Sequence, residues 1–164
     1  MNKKRILGID PGIERLGWGL IEKQPRLLER IDSGVKKTLK TKTEGARLWE
    51  IHQFLDELMK KEAPDIVSTE KLFFSKNVKT ALVIGEVRGI ILALAEKHNA
   101  AIIEFAPLEV KMAICGYGLA TKKNVADMLQ LSIRLPNYKL LDDETDALAL
   151  AVASSFLPVF STYP

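Results

Sequence analysis

Four carboxylates stand where a sheet-based fold could gather them. Asp10 and Glu70 each end an apolar, strand-like run, and Asp143 and Asp146 open the last helix-like segment. An acid placed where a buried strand runs out sits at the rim of a sheet, where open α/β folds collect their ligands. Several carboxylates at one point repel each other unless cations neutralise them, and Mg²⁺ prefers such hard oxygen donors together with water and substrate phosphate. Two ions about 3.5 to 4 Å apart can activate a water and stabilise the leaving oxygen of a phosphodiester. Each acid also has a plainer use: Asp10 in an Asp-Pro-Gly turn, Glu70 as a solvent-facing strand end, and Asp143 and Asp146 as helix caps or partners of the helix dipole.

The elements that must position these acids are legible from periodicity. Arg5 to Asp10, Gly17 to Lys23 and Leu27 to Val35 predict three meandering strands, broken at Asp10-Pro11-Gly12. Thr43 to Lys61 carries Leu48, Ile51, Leu55 and Leu58 at helical spacing and stops before Pro64. A fourth strand covers Asp65 to Glu70. A loop through Asn77 then leads into a long helix to about Lys97, with Ile84, Val87, Ile91 and Leu94 in one stripe and further apolar positions widening it. Ala101 to Ala106 is a fifth strand, followed by a short helix from Pro107, a Gly116-Tyr117-Gly118 break, a helix from Thr121 and a last one from about Asp143. The expected class is therefore α/β, a five-stranded mixed sheet flanked by helices. Crossover helices set strands four and five parallel to strand one. The spacing of three places Asp143 and Asp146 on one face of the last helix, so all four acids are expected to face one point.

Composition narrows the function. The 164 residues suit a single domain over 1–164, able to bury roughly 70% of the surface its unfolded chain exposes. No apolar run approaches the roughly 18 residues that span a bilayer, and no signal-peptide pattern opens the chain. A cytoplasmic protein without a membrane partner is expected. One cysteine, Cys115, rules out an internal disulfide and a multi-cysteine zinc site. Net charge is only +3, yet Lys36, Lys37, Lys40 and Lys42 crowd an acid-free stretch, read as a solvated loop that would also suit a polyanion. His52 and His98 belong to no acidic motif and are read as non-catalytic.

Three segments carry a resemblance. Ile6-Leu7-Gly8-Ile9-Asp10-Pro11-Gly12, the stretch Thr69-Glu70-Lys71-Leu72-Phe73-Phe74-Ser75-Lys76-Asn77, and Asp143-Glu144-Thr145-Asp146-Ala147-Leu148-Ala149 resemble the acidic motifs of RuvC-type Holliday-junction resolvases. With Gly85-Glu86-Val87-Arg88-Gly89 and Val110-Lys111, the similarity spans essentially the whole chain. It implies an RNase H-like fold and a homodimer that uses Mg²⁺, two ions per site with Mn²⁺ as a substitute, to nick opposing strands of a four-way DNA junction symmetrically. It also implies RuvA and RuvB as branch-migration partners. Asp10, Glu70, Asp143 and Asp146 take the catalytic and metal-holding positions, and Phe73, Lys111 and Lys122 the DNA-binding ones. Phe73 taken by position alone fits base stacking or core packing equally. Gly85 and Gly89 are read first as close packing within one chain, with helix pairing across a two-fold axis as the alternative that the resemblance favours.

Other functions are set against this one. A dinucleotide or P-loop enzyme lacks its phosphate loop here, and strand-like Gly17 to Lys23 follows where a helix is needed. An actin-like sugar kinase needs two such domains. A YqgF-type ribosomal-RNA-processing nuclease shares the fold and first motif, and a non-catalytic junction-binding module would use the acids as caps.

Overall fold

The computed structural model describes residues 3–72 and 78–157. Phe73, the proposed stacking residue, lies outside the described residues. The elements follow the expected order: β1 (Lys4–Asp10), β2 (Arg15–Gln24), β3 (Leu27–Lys37), α1 (Glu44–Glu62), β4 (Ile66–Glu70), α2 (Val78–Lys97), β5 (Ala101–Phe105), α3 (Pro107–Cys115), α4 (Lys122–Ser132) and α5 (Asp142–Phe156). The sheet runs β3-β2-β1-β4-β5. β1, β2 and β3 are antiparallel neighbours, while β4 and β5 run parallel to β1. Among the described residues, no helix is long and apolar enough to cross a membrane.

Strand parity decides which side chains meet. Side chains alternate across a sheet, so in β1 Leu7 and Ile9 join the core beneath α1 and α2, and Ile6 joins the one beneath α5. Gly8 and Asp10 share the parity of Ile6. In β4, Val67 packs on the α1 and α2 side and Ile66 on the other, so Glu70 falls on the α5 face as well. Ile9 pairs with Thr69, and the residues that follow them on these adjacent strands are Asp10 and Glu70. Both acids thus leave the sheet together, on the face that α5 covers.

α5 reaches that face because glycines clear it. A Cβ on Gly8 would lie 2.0 Å from the Ala147 carbonyl oxygen, and one on Gly17 would lie 1.9 Å from that of Asp143. Helix backbone therefore rests directly on β1 and β2, and the Ser68 hydroxyl donates 3.0 Å to the Leu150 carbonyl to tie β4 to the same helix. The N-cap residue is Leu141, without a side-chain capping bond. Asp143 and Asp146 are inside the helix, so neither serves as its cap.

Two expectations change. The Lys36 to Lys42 run is a solvated loop only in its second half: Lys36 and Lys37 lie in β3, whereas Lys40 and Lys42 stand in the exposed turn beyond it, Lys40 paired with Glu14 at 3.1 Å and Lys42 with Glu50. Lys40 and Lys42 are matched by acids from other parts of the chain, a pairing that local composition hides. The glycines of α2 also depart from close packing within one chain. Among the described residues, Gly89 has nothing within 4 Å of an added Cβ, and Gly85 meets only Leu72 at an ordinary 3.4 Å. Val87, Ile91 and Leu94 fill the core as the stripe requires, whereas Leu82 is 59% exposed on the other side of the helix.

Candidate active site and metal centre

One cleft of about 280 Å³ collects Asp10, Glu70 and Asp146 with Lys111 from α3 and Lys122 from α4. Its remaining wall is mostly apolar, including Pro107, Val110, Val125 and Leu150. Three of the four acids expected from sequence therefore share a cavity. Asp143 does not line it. That side chain stands one helical turn earlier on α5, beside β2, where the Arg15 guanidinium lies against its Oδ2 as an ion pair. The expectation that all four acids face one point is corrected to three in a cleft and one flanking it. There Arg15, 128 residues away in sequence, supplies Asp143 with a cation. Lys122 plays a comparable part for Asp146, with Nζ 3.0 Å from Oδ2.

Electrostatics confirm the crowding. Burial pushes the Asp10 carboxyl up to about 7, helped by the charges of Asp146, Glu70 and Asp143 and opposed by Lys122. Glu70 is raised as well, chiefly by burial and then by Asp146. Lys122 is pushed above its usual range by its hydrogen bond to Asp146. Asp10 is thus the acid that loses most when ionised without a cation nearby.

The donors suit a divalent ion. They are hard carboxylates, their mutual repulsion lifts Asp10, and the buried Asp143 Oδ2 has no aligned hydrogen bond despite the adjacent Arg15 charge. Among the described residues, no three His, Cys, Asp or Glu groups are gathered tightly enough to hold an ion unaided.

A pH dependence follows. A carboxyl with its folded value above its unfolded one costs nothing at low pH, and the cost grows as pH rises from 3.8 to about 7. The full penalty is at most about 4 kcal/mol. The melting temperature with chelator present is expected to carry this loss between about pH 4 and 7, and the rise in melting temperature on adding Mg²⁺ or Mn²⁺ is expected to grow over the same interval. Differential scanning fluorimetry at three pH values checks it; a metal-induced shift independent of pH would contradict the assignment to Asp10.

Two groups with structural parts here escaped the sequence reading. Arg15 gave no signal, because its partner is fixed only by folding. Glu144, between the two helical acids, is buried and accepts from Ser33 Oγ at 2.6 Å and Tyr138 Oη at 3.2 Å. Its position four residues before core Leu148 was the available clue. His52 stacks on Trp49 and His98 bonds to Asp56 at 2.6 Å, and neither lines the cleft.

Comparison with known proteins agrees with this geometry. The family profile described as crossover junction endodeoxyribonuclease RuvC matches residues 6–154. The chain is 43% identical over 147 residues to the protein of that name from Alkaliphilus metalliredigens, covering 90% of each chain. It is 37% identical over 156 residues to the one from Roseiflexus sp., covering 95% of this chain and 93% of the other. The solved structure titled "T. thermophilus RuvC in complex with Holliday junction substrate" superposes with a TM-score of 0.87 at 28% identity, over 93% of both chains. The fold is RNase H-like, as the mixed sheet and its order require.

Proposed function

Because this chain belongs to the RuvC family of crossover junction endodeoxyribonucleases, we propose that its acidic cleft hydrolyses phosphodiesters of four-way DNA junctions, with Asp10, Glu70, Asp143 and Asp146 as the working carboxylates. The observation that carries the assignment is the convergence of Asp10, Glu70 and Asp146 on one cleft with Lys111 and Lys122. Acids alone would repel DNA. The lysines supply the attraction that holds a phosphate against them.

Mg²⁺, with Mn²⁺ as a substitute, would be held by Asp10, Glu70 and Asp146, with Asp143 completing the set once released from Arg15. When bound, such an ion supplies Lewis-acid stabilisation of the phosphoryl charge and lowers the pKa of a water. The chain itself does the rest. Asp10 and Glu70 are fixed by strand ends, so these two donor positions are set before substrate arrives, and the glycine-cleared seat of α5 fixes the helix that carries the other two. Lys122, held 3.0 Å from Asp146 at the cleft, would turn to the phosphate backbone if that pairing opened. Lys111, from α3, lines the same cleft.

Symmetric cutting needs two such clefts. Among the described residues, the side of α2 bearing Leu82 and Gly89 is uncovered within one chain, and it suits a second copy packed about a two-fold axis. Gly89→Lys is expected to halve the mass seen by sedimentation while leaving the fold intact; an unchanged mass would place the two-fold elsewhere. Family membership carries RuvA and RuvB as the proteins expected to deliver the junction.

The test is a cleavage map: a synthetic four-way junction, labelled on each strand in turn, incubated with the chain and Mg²⁺. Paired cuts at symmetric positions on opposing strands are expected. Junction bound but uncut, or cuts confined to RNA, would defeat the proposal.

A further inference from the structure

A second cleft, of about 670 Å³, opens beside the first and shares Lys122 and Asp146 with it. α4 contributes Lys123, the 133–141 segment contributes Tyr138 and Lys139, and α5 contributes its first turn. Lys123 pairs with Asp127 at 2.6 Å, and Lys139 has no ion pair among the described residues. A strand held by its phosphate in the acidic cleft would pass directly into this one.

Tyr138 is the unusual member. Its side chain is 54% exposed, yet its hydroxyl is fixed on both sides: it accepts from Arg30 Nη2 at 3.1 Å and donates to Glu144 Oε1 at 3.2 Å. Arg30 Nε in turn donates to Ser33 Oγ at 2.7 Å, and Ser33 donates to Glu144. The polar tip is tethered to β3 and α5 while the ring stays in the open. An aromatic held this way has already lost the rotational freedom that a loose side chain gives up on binding. Every nucleobase offers a face that such a ring can stack on, and flanking lysines suit the adjoining phosphates.

We propose that Tyr138 is a stacking platform for an unpaired nucleobase of the DNA strand flanking the phosphate held in the acidic cleft, with Lys123 and Lys139 contacting that strand's backbone. The inference rests on the nuclease reading of the first cleft. The competing role is a structural peg, in which Tyr138 merely anchors α5 through its hydroxyl.

Two substitutions separate the roles. Tyr138→Phe keeps the ring and removes the hydroxyl, whereas Tyr138→Leu removes the ring. Binding is measured by anisotropy on a four-way junction with Ca²⁺ in place of Mg²⁺, so that affinity is read without cutting. A junction carrying 2-aminopurine at successive positions around the cut reports stacking through its fluorescence. Tyr138→Phe, which keeps the ring but loses the tether, is expected to weaken binding only about 2- to 4-fold and to keep the fluorescence response at one position. Tyr138→Leu is expected to weaken binding roughly 5- to 100-fold and to lose that response. Equal losses in the two variants, undiminished binding by Tyr138→Leu, or a fluorescence response that persists in it would overturn the platform. Failure of the first-cleft reading registers elsewhere, as cutting that persists in Asp10→Asn, and leaves these binding and fluorescence results to be judged separately.

Discussion

Asp10→Asn is expected to reduce strand cutting by at least about 10³-fold while junction binding is retained or tightened. The reason is charge. Asp10 is the acid most perturbed by burial and by its three acidic neighbours, so it gains most from a divalent cation and is the group whose neutral replacement weakens the metal site most. Removing that charge also removes a repulsion toward the phosphate backbone, hence the unimpaired binding. The same substitution is expected to raise the melting temperature measured with chelator at pH 8, because an amide carries none of the ionisation penalty. Single-turnover cleavage, anisotropy and a thermal melt on one preparation read all three. A cutting rate equal to that of the unchanged chain would remove Asp10 from the machinery.

Gly8→Ala is expected to be among the most damaging single-methyl changes in the chain. The new Cβ would sit 2.0 Å from the Ala147 carbonyl oxygen and 2.8 Å from the Ala151 amide nitrogen. Both obstacles are backbone, so α5 must lift from the sheet as a body, and Asp146 moves with its neighbour. Overpacking of this kind costs about 1 to 3 kcal/mol or more, a fall of roughly 5 to 10 °C for a chain of this size. Gly45→Ala is the control: nothing lies within 4 Å of its added Cβ, and a small gain in helix stability is expected. If Gly8→Ala melts and cuts like the unchanged chain, the direct seating of α5 on β1 is wrong.

Much of this arrangement was legible in the sequence because it is local. The helical stripe of α1, the stop at Pro64 and the meander broken at Asp10-Pro11-Gly12 follow from period and punctuation alone. Parity even brings Asp10 and Glu70 to one face, since each is an even number of residues from a core neighbour on its own strand. What folding decides across the chain was not legible. Arg15 reaches Asp143 only because β2 runs under α5, and the lysines of the Lys36 to Lys42 run meet Glu14 and Glu50 for the same kind of reason. The glycines at 8, 17 and 19 could have signalled a helix pressed onto the sheet, but a strand glycine reads equally as a bulge or a bend.

The resident cations of the acidic centre bear on how the protein is made. With Arg15 against Asp143 and Lys122 against Asp146, half of the carboxylate charge is balanced from within the chain. Biosynthesis therefore does not have to wait on the supply of an inorganic ion, in contrast to domains whose folding free energy comes from zinc. Removing divalent ions should silence such a protein without unravelling it, and returning them should restore it within the time of diffusion and side-chain rearrangement.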